Sequence, residues 1–240
     1  MTIQDVLPVL GLRIAVSSPA GDLELVGITD DLLAELAAVA GAGVHEPERM
    51  PFTFPWTDTP PERFALQFAQ YHWGTRAGWS AEKWDLNLAV VQDGRPIGVQ
   101  GFSTTDYLVT RVGETGSWLG QAHQGRGVGT TMRRAICALL FDHLDAVRIT
   151  SGYFSDNPGS GAVSRKVGYR ENGTERRQRR PGELATLTHL TLDPEDFVRG
   201  GVEIQVEGLA PLRRSIGLDE ARSIYADLKL PEAEAISLPD

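Results

Sequence analysis

Apolar and polar positions alternate along Leu12-Arg13-Ile14-Ala15-Val16, which predicts a strand, and Asp22 to Ile28 predicts another. Thr29, Asp30 and Asp31 then offer N-cap choices for a helix over Leu32 to Val39, closed by Gly41 and Gly43. From Glu46 to Pro61 neither period survives. Met50-Pro51-Phe52-Thr53-Phe54-Pro55-Trp56 interleaves prolines with aromatic residues, excludes a regular helix and predicts an ordered loop. Pro60-Pro61 opens a second helix that runs to about Arg76. Trp84 to Val91 and Arg95 to Thr105 read as strands joined at Asp93-Gly94, a dipeptide suited to a tight hairpin. Glu114 to Leu119 is the next strand. A glycine-rich loop from Gly120 to Gly129 leads into a helix from Thr130 to Leu144, in which Met132, Ala135, Ile136, Leu139 and Leu140 share one face. Val147 to Ser151 is a short apolar strand, and Asp156-Asn157-Pro158 starts a helix ended by Gly168. Tyr169 onward and Leu184 to Leu192 predict a long hairpin turned by the basic run Glu175-Arg176-Arg177-Gln178-Arg179-Arg180. Val202 to Val206 alternates again and predicts an edge strand, while the Pro-, Glu- and Ala-rich tail beyond Leu230 reads as frayed.

Strands interleaved with helices define an α/β chain, and 240 residues allow one large domain with a small appendage. Hydrophobic residues make up 41% and charged residues 23%, enough for an ordinary core. No apolar run approaches the ~18 residues of a membrane span. The first residues carry no positive region or cleavage site of a secretory signal, so a cytoplasmic location is expected. Cys137 is the only cysteine, which excludes an intrachain disulfide and a paired-cysteine metal or redox site. His72, His143 and His189 lack metal-ligand spacing, so no metal is expected. A net charge of −9 disfavours nucleic acid; it favours solubility and suits a cationic acceptor.

The candidate chemistry centres on Gln124-Gly125-Arg126-Gly127-Val128-Gly129 between a strand and a helix. Glycines let backbone approach a ligand closely, and the first N–H groups of a helix lack internal partners. With the helix dipole they form an anion site, to which Arg126 and Arg133 or Arg134 add charge. A nucleotide-triphosphate loop requires Lys-Ser/Thr after its last glycine, whereas Thr130-Thr131 follow here. A dinucleotide fingerprint requires glycine at position 130 and an acidic residue after the next strand; both are missing. Such a loop can also be a plain turn.

A second segment narrows the choice. Asn157-Pro158-Gly159-Ser160 followed by Ala162-Val163-Ser164-Arg165-Lys166-Val167-Gly168-Tyr169 resembles the N-x-x-S-x-x-x-x-x-K-x-G-F/Y segment of GNAT acyltransferases. Ser117-Trp118-Leu119-Gly120 and His123-Gln124-Gly125-Arg126-Gly127 resemble that family's fourth strand and coenzyme A loop, with Q-x-x-G-x-G matched at Gln124, Gly127 and Gly129. The resemblance spans Leu12 to Leu192 and is densest from Gly113 to Tyr169. It is nearest the RimJ/RimL type, and Val44 to Phe52 resembles a segment of an actinobacterial branch of that type.

The resemblance implies a mixed central sheet, flanked by helices, whose fourth and fifth strands splay apart to admit an acyl-CoA donor. It implies a domain over residues 1–198, followed by an extension over 199–240 with an edge strand and short helix that could join two copies. Trp118 and Leu119 would offer backbone groups to the pantetheine arm. The N–H groups of Gln124, Gly125, Arg126, Gly127, Val128, Gly129 and Thr130 would hold the pyrophosphate, and Asn157 would bind the arm or cap its helix. The donor would be acetyl-CoA or succinyl-CoA, and the acceptor a primary amine on a protein N-terminus, a lysine or a small molecule. Glu114 would be the general base, directly or through a water; His45 is a weaker candidate, and His123 beside the glycine loop reads as a loop residue. Many relatives place a tyrosine acid where Ser164 stands, which leaves Ser160 or Ser164 as hydroxyl donors or as local helix bonds. Phe52, Phe54 and Trp56 could wall the acceptor pocket, and Arg49 could meet a carboxylate. The basic run could meet the adenosine 3′-phosphate. The departure at Ser164 also leaves open a non-catalytic acyl-CoA-binding protein.

Overall fold

The alternating segments assemble into one nine-stranded sheet in a computed structural model that describes residues 1–219. The strands are β1 (Arg13–Ser17), β2 (Leu23–Gly27), β3 (Lys83–Gln92), β4 (Arg95–Thr105), β5 (Val112–Leu119), β6 (Arg148–Phe154), β7 (Arg170–Arg180), β8 (Glu183–Leu192) and β9 (Glu203–Glu207). The helices are α1 (Ile3–Val6), α2 (Asp30–Gly41), α3 (Pro61–Ala77), α4 (Tyr107–Thr110), α5 (Val128–His143), α6 (Pro158–Val167) and α7 (Leu209–Ser215). Strand order is β7-β8-β6-β5-β4-β3-β2-β1-β9.

Every pairing is antiparallel except β5 with β6, which needs a crossover and receives it from α5. That parallel ladder joins only Val112, Gly113 and Glu114 to Arg148, Ile149 and Thr150. Beyond it each strand keeps only its outer neighbour. β5 stays with β4 as far as Leu119, and β6 stays with β8 as far as Phe154. The sheet is therefore forked at its centre.

Helices cover both faces. On one, Met132, Ala135, Ile136, Leu139 and Leu140 of α5 join the main core with β-strand residues such as Ile14, Leu86 and Ile149. On the other, Leu33 and Leu36 of α2 and Phe68 of α3 pack with Ala89 and Val99. Asp93 and Gly94 both take positive φ, as a hairpin turn of the expected kind requires.

Two expectations change. The basic run is not the turn of the last hairpin but the end of β7, laddered to β8; the turn is Pro181-Gly182. Carboxylates at hand let these arginines lie in a sheet. Arg179 is buried over the Phe154 ring at 5.0 Å and donates to Asp156 at 2.8 Å and to Glu183. The edge strand forms as β9 against β1, but the described part of the extension, residues 199–219, packs onto the main core rather than apart from it. Val202, Leu212, Ile216 and Leu218 are buried in the same core as β1 and α5. The tail beyond Leu230 lies outside the described residues.

Leu212→Ala is accordingly expected to lower stability by about 2–5 kcal/mol, read by urea denaturation. An unchanged midpoint would mean that the extension does not share the core.

Candidate active site

The fork is closed at its base by side chains. Thr115 Oγ1 donates to the Thr150 carbonyl at 3.2 Å, and Ser151 Oγ donates to the Thr115 carbonyl at 3.0 Å. Arg133, rising from α5, spans the gap: Nη1 donates to Ser151 Oγ at 3.1 Å and Nη2 to Ser117 Oγ at 2.9 Å. Because peptide groups alternate along a strand, the direction of the Thr115 carbonyl fixes those beyond it. Ser117 and Leu119 present their peptide groups to the fork. Gly116 and Trp118 turn theirs to β4, where the Gly116 carbonyl accepts from Gln100 and the Trp118 carbonyl lies against Gly98. Of the two residues expected to offer backbone groups, Leu119 turns its peptide groups to the fork, where its carbonyl accepts from Gln124, and Trp118 turns its own to β4; Ser117 also faces the fork.

The glycine loop lies where β5 ends and α5 begins. Gly125 and Gly127 have φ of 75° and 89°, left-handed values that favour glycine. The Gln124 N–H donates to Gln121 and the Thr130 N–H to Gly127, so neither remains for a ligand. The N–H groups of Gly125, Arg126, Gly127, Val128 and Gly129 find no acceptor among the described residues; the last two begin the 16-residue α5, with Gly127 at its N-cap. Free donors in a glycine loop that runs into a helix start suit an anion such as a pyrophosphate. Arg126 is exposed beside them. Arg133 is buried at the fork instead, and Arg134 donates to the Lys166 carbonyl.

Gln124 has a structural role. Its Nε2 donates to the Val44 carbonyl at 2.7 Å and the Leu119 carbonyl at 2.8 Å. Gln121 reinforces the link, its N–H donating to Gly43 and its Nε2 to Glu46. The glycine loop is thereby sewn to the segment that leads into the aromatic loop. The far side of that loop is held by Arg180, which donates to Asp58 at 2.7 and 2.8 Å.

On the α3 face a cavity of about 340 Å³ abuts the fork. Phe52, Phe54, Trp56, Phe64, Phe68 and Trp118 wall it, with Trp56 and Trp118 ring centroids 5.7 Å apart. Its polar end carries Tyr71, His72, Asp85, Asn87 and Glu114. There it meets a polar groove of about 860 Å³ that shares Tyr71, Asp85, Ser103 and Glu114. Glu114 is the last residue of the β5–β6 ladder, so it stands at the fork and in both cavities. Burial raises the Asp85 carboxyl above its usual range, opposed by Lys83. Burial also depresses His72 to about 4, which keeps its ring neutral and makes it a weak base.

Other expected residues are placed less centrally. Arg49 is exposed on a turn whose N–H bonds back to Glu46, and it is absent from the cavity lining. Asn157 Oδ1 accepts from the Ser160 N–H at 3.2 Å, capping α6. Its amide nitrogen stays unengaged among the described residues. The Ser160 hydroxyl is likewise unengaged, while Ser164 is buried with its hydroxyl unpartnered. His45 is held by Thr57 and Glu46 within its loop. Tyr71, His72, Asp85 and Asn87 were missed because no motif surrounds them. Only the polar breaks at Asp85 and Asn87 in an otherwise apolar strand signal them.

A phosphate-ready helix start, parted strands and a cavity beyond them define a two-substrate group-transfer protein. Residues 22–170 match the acetyltransferase (GNAT) domain, and the chain belongs to that family of acyl-CoA-dependent N-acyltransferases. Its fold is similar to that of Mycobacterium smegmatis RimJ in complex with CoA-disulfide, at 20% identity over 78% of this chain and 88% of that one, TM-score 0.67. It is also similar to RimL, a ribosomal alpha-N-protein acetyltransferase in complex with coenzyme A, at 16% identity over 74% and 95%, TM-score 0.56. A GNAT-family acetyltransferase from Bacillus anthracis matches at 14% identity over 76% and 99%, TM-score 0.57. No helix among the described residues is long and apolar enough to cross a membrane. No group of three or more His, Cys, Asp and Glu there could hold a metal.

Two outcomes are expected. Gly129→Asp places a carboxylate in the first turn of α5, where it suits the helix dipole but repels a phosphate. Its Cβ meets only ordinary contacts with Val163 and Leu119 at 3.6 and 3.9 Å. It should fold normally and bind CoA about 10- to 100-fold more weakly by calorimetry. His72 is depressed on folding, so it stabilises the protein fully above its unfolded pKa of 6.5 and progressively less as pH falls towards about 4. His72→Phe should flatten that acid limb of the stability profile, a difference of roughly 3 kcal/mol between its ends.

Proposed function

We propose that this chain transfers an acetyl or succinyl group from acyl-CoA to a primary amine, by direct attack with both substrates bound. The amine belongs to a protein N-terminus, a lysine or a small molecule, and the cytoplasm is the expected site of action. The observation that carries this reading is the position of Glu114, at the fork that admits the donor and in the cavity that can admit an acceptor. The loop N–H groups from Gly125 to Gly129 hold the donor's pyrophosphate, with Arg126 alongside. Asn157 supports the pantetheine arm with its unengaged amide. The aromatic walls take the apolar part of the acceptor and exclude water. Glu114, directly or through one water, removes a proton as the amine attacks. Glu114 and Asp85, two acids at the polar end of the cavity, favour an acceptor that arrives as a cation.

Thermal shift against CoA, acetyl-CoA, succinyl-CoA and NADPH tests the donor, followed by thiol release with a panel of amines. A bound thioester at 100 times its dissociation constant should stabilise the fold by about 2.7 kcal/mol. Stabilisation by NADPH alone would overturn the reading. CoA binding without turnover on any amine would support a non-catalytic acyl-CoA-binding protein, the role that Ser164 in place of a tyrosine leaves available. Glu114→Gln should lower kcat about 100-fold with donor affinity unchanged. The loss should shrink as pH rises towards the amine's own pKa, where no base is needed.

A further inference from the structure

Beneath the fork lies a cation with no carboxylate partner among the described residues; its guanidinium lies 6.0 Å from the centroid of the Tyr169 ring. Arg133 is only 4% exposed, yet it forms no ion pair among the described residues, and its Nε is buried without an acceptor. An unpaired buried charge is strongly unfavourable, so its place calls for a reason. The two hydroxyls it meets differ. Ser151 already donates its hydroxyl hydrogen bond to the Thr115 carbonyl. Ser117 has no acceptor for its proton among the described residues, lines the acceptor cavity, and stands on the strand edge that faces the fork. A hydroxyl that accepts a hydrogen bond from a guanidinium is a stronger donor for it.

We propose that Ser117 is a catalytic residue that donates a hydrogen bond to the departing sulfur, and that Arg133 is the positioning residue that orients and polarises it. The inference rests on the acyltransferase reading above. The phosphate-binding start of α5 brings the donor in from the α5 face, which is the face on which Ser117 meets Arg133. The acyl carbon then faces the cavity on the α3 side. The amine nitrogen forms its bond to that carbon and loses a proton to Glu114. The carbon–sulfur bond breaks and its electron pair stays on sulfur. Ser117 keeps its proton but shares it with the thiolate, which is later protonated from solvent as Glu114 releases the amine's proton to solvent. Charge at the fork thus replaces the full proton transfer that a tyrosine at position 164 would provide.

The test is to titrate the thiol of bound CoA by its thiolate absorbance in the wild type, Ser117→Ala, Ser117→Thr, Arg133→Lys and Arg133→Met, alongside steady-state kinetics. In the wild type the bound thiol should ionise more readily than free CoA. Ser117→Ala should reduce the thiolate fraction at fixed pH about tenfold and kcat about 10- to 100-fold, with CoA affinity unchanged. Ser117→Thr and Arg133→Lys should retain most of both effects, and Arg133→Met should match Ser117→Ala. Should Arg133→Met fail to fold, Ser117→Ala and Arg133→Lys still decide. Bound-thiol ionisation and turnover unchanged in Ser117→Ala would overturn this inference alone. No CoA binding by the wild type would overturn the acyltransferase reading and this inference with it.

Discussion

Three residue pairs hold β5 to β6, and the peptide groups of β5 beyond them face no strand. An open edge in the middle of a sheet is normally unfavourable, because peptide groups need partners. Here it is tolerated because each strand is anchored from outside, β5 by β4 and β6 by β8. The base is then cross-tied through Thr115, Ser151 and Arg133. The parting is therefore built into the topology. An extended chain with its own hydrogen-bonding groups, as a pantetheine arm is, can pair with the exposed edge at Ser117 and Leu119.

The chemistry divides across the sheet. The α5 side offers positive potential: five N–H groups without an acceptor among the described residues, the helix dipole and Arg126. The α3 side offers aromatic walls ending in Asp85 and Glu114. Positive and acidic potential thus lie on opposite faces of the sheet and meet at the fork, an arrangement that suits the anionic donor and cationic acceptor proposed above.

Much of this was readable in the chain. Alternation located all the main strands, and the glycine loop with the Asn157 segment carried the family resemblance that the domain match bears out, because these features are local. What escaped depended on partners distant in sequence. The run Glu175 to Arg180 looks like a solvated turn until Asp58, Asp156 and Glu183 are seen to receive its arginines. Trp118 seems a backbone donor until the phase of the ladder fixes Ser117 as the residue facing the fork. His72 and Asp85 lie on a helix and a strand with no motif, and only the fold joins them to Glu114.

The seam made by Gln121 and Gln124 has a consequence of its own. It fastens the donor loop to Gly43, Val44 and Glu46, and so to the chain that becomes the aromatic wall. When one side of such a seam is stiffened, less freedom remains to be lost when the other side is filled. Such coupling is reciprocal, so that filling either side of the seam would ease the filling of the other with no change of shape.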